Sequence, residues 1–152
     1  MDRRLSFHCA APPGQWINDP NGLYFADGRF NLLMQHSPEP EPGPVGWAAA
    51  SSNDLLHWRW DGVAIPPDQR GYAYSGCVVD GDAYLTRYDP ISTVQSQHRR
   101  KGIIGCDGPS IGPAGRNRRD PFVFRNASTN DWRMLVAAPC DWSDWRKDPP
   151  ST

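Results

Sequence analysis

Residues 16–22 read WINDPNG, with an aspartate set directly before a proline and apolar residues on either side of the polar centre. Pro20 fixes its own φ at about −65° and steers Asp19 away from the α region. Asn21-Gly22 tolerates positive φ at both positions and is a strong type I′ hairpin signal. Trp16 and Ile17 precede this centre, and Leu23, Tyr24 and Phe25 follow it. The spelling predicts a strand–turn–strand unit. Asp19 then has two competing roles: a good turn residue, or a carboxylate that must stand here for chemistry. The turn is the simpler role, and the rest of the chain has to decide.

Outward from this stretch, short strands and turns alternate. Leu23–Phe25 and Phe30–Met34 read as a hairpin around Ala26–Arg29. Residues 37–46, SPEPEPGPVG, read as a loop, because prolines cannot donate ladder hydrogen bonds. Residues 47–52 read as a strand, and Asn53 or Asp54 opens a turn before Leu55–Trp58. Tyr74–Val79 and Ala83–Tyr88 pair around Asp80–Asp82. Residues 89–118 show little periodicity and predict no clear element. Pro121–Arg125 and Trp132–Ala137 form a last hairpin. The pattern D-x-x-x-W-R occurs twice, at Asp54–Arg59 and Asp141–Arg146, a faint repeat that suggests propeller blades.

Composition agrees with an all-β chain of antiparallel strands joined by long loops. Among 152 residues there are 16 Pro, 14 Gly and 7 Trp. That much Pro and Gly opposes long helices, and that much Trp opposes disorder. The formal net charge of −1 provides no field for nucleic acid. The basic run His98–Lys101 reads as a solvated loop. No stretch is long and apolar enough to predict a membrane span. Cys9, Cys77, Cys106 and Cys140 form no Cys-x-x-Cys pair, so no metal site is expected, and their spacing leaves the disulfide state open. Without an apolar segment of signal-peptide length near the start, a cytoplasmic chain is expected.

A second acidic site echoes the first. Arg118-Arg119-Asp120-Pro121 again places an aspartate before a proline and beside an apolar run, Phe122-Val123-Phe124. Proline predicts extended backbone at both aspartates, which would project each carboxylate from a strand end. Arg119 could hold a carboxylate ionised or bind a sugar hydroxyl. As a lone dipeptide, Arg119-Asp120 would more commonly be a surface ion pair.

Taken together, WINDPNG, the LLMQH segment ending in Gln35-His36, Gly46-Trp47, Ser51–Trp58, Tyr74-Ser75-Gly76 and RRDP resemble glycoside hydrolase family 32. That family comprises the invertases, fructosidases and sucrose-6-phosphate hydrolases. The motifs stand in the family's order and cover most of the chain. The resemblance implies a five-bladed β-propeller with a funnel-shaped axial pocket, of which residues 1–152 would be the incomplete N-terminal portion, its first blades only. It implies a retaining hydrolase of β-fructofuranosyl linkages in sucrose, sucrose phosphate or fructans. Asp19 would be the nucleophile and Asp120 the stabiliser of an oxocarbenium-like transition state. Asn18, Gln35, Trp47, Ser75 and Arg119 would line the fructose subsite. The partner is a small carbohydrate, no metal or organic cofactor is required, and nothing fixes an oligomeric state.

The chain departs from the family pattern in three places. The family's acid/base glutamate lies in a Glu-Cys motif beyond RDP, and no Glu-Cys occurs here; the only glutamates, Glu39 and Glu41, lie in the Pro-rich loop. The isolated chain is therefore expected to hydrolyse little sucrose, leaving a fructoside-binding remnant or an interaction module as alternatives. Residues 92–110 match poorly, as though a second-blade strand pair were compressed or lost. Cys77 replaces a small hydroxyl residue after Ser75-Gly76.

Overall fold

The computed structural model describes residues 8–138. They form ten antiparallel strands in three sheets: β1 (Trp16–Ala26), β2 (Arg29–Ser37), β3 (Gly46–Ser52), β4 (Arg59–Ile65), β5 (Tyr72–Val79), β6 (Asp82–Tyr88), β7 (Gln95–Arg100), β8 (Asp107–Ser110), β9 (Arg119–Arg125) and β10 (Trp132–Ala137). β1–β4 form one four-stranded meander, β5–β8 a second, and β9–β10 a two-stranded sheet. The first strand of each sheet lies at a sheet edge, and β5 packs between β1 and β9. This radial convergence of successive meanders is the blade arrangement of a propeller.

The core lies between the two meanders. Leu33, Trp47 and Ile65 from the first meet Ala73, Ala83 and Leu85 from the second. Trp47 is wholly buried, and its indole N–H donates to the Tyr74 carbonyl at 3.1 Å, satisfying its one polar atom and tying β3 to β5. The inner strands approach closely. A Cβ on Gly22 would come within 2.8 Å of Val78 Cγ2, so glycine lets β1 lie against β5.

WINDPNG is not a hairpin turn. It lies within the single strand β1, and neither Asn21 nor Gly22 adopts the positive φ that a type I′ turn requires. The polar centre instead produces two bulges: Ile17 pairs with His36, Pro20 with Met34, and Gly22 with Leu33. Edge strands and bulges are where a proline without an N–H can sit in a sheet. The turn of this hairpin is Asp27-Gly28, both at positive φ.

Residues 89–118 are also more regular than their sequence predicts, since they contain β7 and β8. His98–Arg100 is a strand and not a solvated loop. Arg100 is buried, and its Nη1 donates to Asp107 Oδ1 at 2.9 Å. Asp107 also accepts from Arg87 Nε at 2.7 Å, with both side chains out of solvent. The predicted turn at Asp54 is present: its Oδ1 accepts the N–H groups of Leu56 and His57 at 2.9 and 2.8 Å. The second D-x-x-x-W-R copy and Cys140 lie outside the described residues.

Candidate functional site

The inner edge strand of each sheet is bulged, and Asn18, Asp19, Ser75 and Asp120 stand at those bulges, with Arg119 beside Asp120. In β1, Asn18 and Asp19 share the space opposite Gln35. In β5, Tyr74 pairs with Thr86 and Gly76 with Leu85, which leaves Ser75 as the extra residue. In β9, Arg119 pairs with Ala137 and Phe122 with Leu135, so Asp120 and Pro121 are set out of register. A bulge removes a residue from the ladder and re-aims its side chain. Bulges on three adjacent edges turn polar side chains toward one point.

That point is a pocket of about 300 Å³. Asn18, Asp19, Gln35, Arg119 and Asp120 line it, with Trp16, Pro42, Val45 and Tyr74 completing the wall. The two aspartates, 101 positions apart from 19 to 120, thus share one cavity. Two predicted site residues are not on the lining. Trp47 belongs to the core described above. Ser75 is buried behind the pocket, where it acts through Asp19.

Asp19 is held by a closed ring of hydrogen bonds. Asn18 Nδ2 donates to Asp19 Oδ1 at 2.7 Å and to Gln35 Oε1 at 3.4 Å. Gln35 Nε2 donates to Ser75 Oγ at 2.8 Å, and Ser75 Oγ donates to Asp19 Oδ2 at 2.7 Å. Each carboxylate oxygen has one donor, so the carboxylate plane is fixed while lone pairs remain for a ligand. Asn21 Oδ1 accepts the Gly76 N–H at 3.3 Å, joining the β1 and β5 bulges.

Asp120 is in a different environment. Burial pushes its carboxyl above the ordinary aspartate value; the Arg119 charge opposes this, and the Asp19 charge reinforces it. Its backbone is not extended, contrary to expectation. Asp120 has φ of 59°, in the left-handed region. Aspartate is among the few residues that visit this region, but a following proline makes it harder to occupy. Such a conformation costs about 1–3 kcal/mol and persists only where the surroundings enforce it. Four wall residues were not anticipated from the sequence, Pro42 and Val45 of the Pro-rich loop and two aromatic ones. Trp16 sits at the head of WINDPNG, and Tyr74 precedes Ser75, its ring stacked on Tyr88 at 4.8 Å. Their aromatic character beside motif residues was the available signal.

The arrangement can do specific chemistry. Two carboxylates, an arginine and two amides are groups able to hydrogen-bond the hydroxyls of a small polyol, and Trp16 and Tyr74 add aromatic surface to the same wall. Asp19, oriented and open to the cavity, has the placement of a nucleophile or of a strong hydrogen-bond acceptor.

Comparison with known proteins agrees with this chemistry. The family model for the glycosyl hydrolases family 32 N-terminal domain matches residues 8–145. Fructan beta-fructosidase of Streptococcus mutans is 43% identical over 141 residues, which is 93% of this chain and 9% of that protein. Sucrose-6-phosphate hydrolase of Escherichia coli is 32% identical over 96% of this chain and 33% of its own length. Among solved structures, a beta-fructofuranosidase from Schwanniomyces occidentalis complexed with fructosyl-erythritol superimposes with a TM-score of 0.73 at 27% identity, covering 88% of this chain and 31% of that one. The chain thus spans a third or less of the length of these relatives. Matched by the family model from residue 8 to residue 145, it belongs to glycosyl hydrolases family 32 and carries the N-terminal domain of that family.

Proposed function

We propose that this chain forms the fructosyl-binding part of a retaining glycosidase that acts on β-fructofuranosyl linkages, with Asp19 as nucleophile and Asp120 as transition-state stabiliser. The observation that carries this reading is the convergence of Asp19 and Asp120 on one pocket, with the Asn18–Gln35–Ser75 ring holding Asp19. In the first step an Asp19 oxygen attacks the anomeric carbon, a C–O bond to the fructosyl unit forms, and the glycosidic C–O bond breaks. The leaving oxygen takes a proton from a general acid in a complete enzyme. Asp120 in its ionised form accepts hydrogen bonds from fructosyl hydroxyls and favours the positive charge that develops on the ring. Arg119 keeps a cation beside Asp120 and so favours that ionised form.

Neither Glu39 nor Glu41 lies on the pocket wall. Without a general acid, cleavage of a fructoside whose leaving group needs a proton loses about 10²–10⁴-fold. The isolated chain is therefore expected to leave sucrose intact. An aryl fructoside, whose leaving group departs unprotonated, bypasses that step. Intact-mass spectrometry after incubation with an aryl β-fructofuranoside should find one fructosyl unit covalently attached, and Asp19→Ala should abolish the adduct. Fructoside binding by calorimetry without any adduct would make the pocket a binding site only. Neither binding nor adduct would refute the reading.

A further inference from the structure

Nothing in the two bulges of β1 explains how Asp120 is kept in its left-handed conformation, and the explanation lies in the neighbouring meander. Thr86 in β6 and Gln97 in β7 are direct cross-strand partners. Opposed residues of an antiparallel pair project from the same face. Here that face looks toward the chain entering β9, and Thr86 and Gln97 are 0% and 1% exposed. Gln97 Nε2 donates to the Arg118 carbonyl at 2.7 Å. Thr86 Oγ1 accepts the Asp120 N–H at 3.0 Å. The two bonds grip the backbone immediately before and immediately after Arg119.

The same strand holds the segment leading to this grip. The Ile111 N–H donates to the Gln97 carbonyl at 2.8 Å. Gln95 and Gly115 exchange backbone bonds at 3.0 and 2.9 Å. Residues 111–118 are thus suspended from β7, and the Thr86–Gln97 pair forms the last fastening before the two site residues. Asp120 lies at a bulge, where the ladder to β10 cannot fix it. Side chains must supply the missing constraint.

We propose that Thr86 and Gln97 are positioning residues: a buried cross-strand clamp that holds Arg119 and Asp120 in the conformation facing Asp19. Neither residue lines the pocket, so both act through backbone. The proposal rests on the reading of Asp120 as a functional carboxylate, but its test requires no sugar.

The test uses nuclear magnetic resonance on the full chain, following the Asp120 amide by hydrogen exchange and its carboxyl carbon by pH titration. In the unaltered chain the Asp120 amide should be protected. Thr86→Val keeps the side-chain shape and removes the acceptor. It should speed exchange at Asp120 by roughly two- to tenfold, the range of one net hydrogen bond. It should also move the Asp120 carboxyl pKa down toward the ordinary aspartate value, as the side chain is released from its buried setting beside Asp19 and Arg119. Thr86→Ser, which retains the oxygen, should restore both readings, and Gln97→Met should reproduce the Thr86→Val titration. A purely structural role would lower stability and leave the Asp120 titration of the folded chain unchanged, which would overturn the proposal. An unprotected Asp120 amide in the unaltered chain would overturn it without any variant. Failure of fructosides to bind would refute the function proposed above and leave the clamp unaffected.

Discussion

Asp120 shows how a site residue can oppose the fold that carries it. A carboxyl whose pKa rises on folding holds its proton more tightly in the folded chain than in the unfolded one. Its contribution to stability is therefore intact below the unfolded value of about 3.9 and is lost as pH rises through the folded value. Asp120→Asn removes that burden, and asparagine tolerates the left-handed region at least as well. The variant is expected to melt at a higher temperature than the unaltered chain at pH 7, with the difference vanishing at pH 3 by calorimetry. Equal melting at both pH values would show that ionised Asp120 is not penalised. The sequence carried half of this story. Two Asp-Pro steps marked both carboxylates, but proline next to aspartate predicted extended backbone. The left-handed Asp120 was invisible, because the hydroxyl that grips its N–H belongs to a residue 34 positions earlier.

At the level of elements, β7 and β8 separate what was legible from what was not. The hairpins around Asp27-Gly28 and Asp80-Gly81 announced themselves through local turn chemistry. β7 reads Gln95-Ser-Gln-His-Arg-Arg100, with no apolar residue to advertise a buried strand. Two of its buried polar side chains find partners, Gln97 on Arg118 and Arg100 on Asp107, while the Gln95 Oε1 is buried without one. Asp107 anchors β8 against β6 and β7 through Arg87 and Arg100. Burial alone would raise its carboxyl, but hydrogen bonds from the two arginines, with the charges of Arg87 and Arg70, outweigh it and hold the pKa below the usual range. A depressed folded pKa gives stability that is present above the unfolded value and lost as pH falls through the folded one. Asp107→Ala leaves two buried guanidinium groups without their shared partner and should cost about 3–5 kcal/mol in urea denaturation at pH 7. A loss below about 1 kcal/mol would mean that Asp68, 3.2 Å from Arg87 Nη2, and the Pro66 and Gly71 carbonyls, 3.3 Å from Arg87 Nη1, suffice for Arg87.

The molecule as a whole keeps part of its apolar surface uncovered. Leu23 and Phe25 on β1 are 58% and 62% exposed, and Phe122 and Leu135 on the last sheet are 57% and 61% exposed. These residues stand on strands whose other faces are engaged, and exposed apolar side chains of this size favour association. Sedimentation of the chain across a range of concentrations is expected to show reversible self-association. The pair Phe25→Thr and Phe122→Thr should suppress it while leaving the Asp19 pocket in place. A strictly monomeric unaltered chain at high concentration would remove the basis for this expectation. The all-β architecture was legible from Pro, Gly and Trp content and from turn spacing. The meeting of three sheet edges was not, since no local pattern encodes which edges face one another.

The irregularities at Asn18-Asp19, Ser75 and Asp120 have one more effect. A residue set outside the ladder contributes no rung of its own, so replacing its side chain leaves the backbone pairing of the strands in place. Strand pairing and the cavity's chemistry are thereby assigned largely to different residues. Such a framework can exchange its reactive groups for others, and hence its choice of ligand, without changing which strands pair.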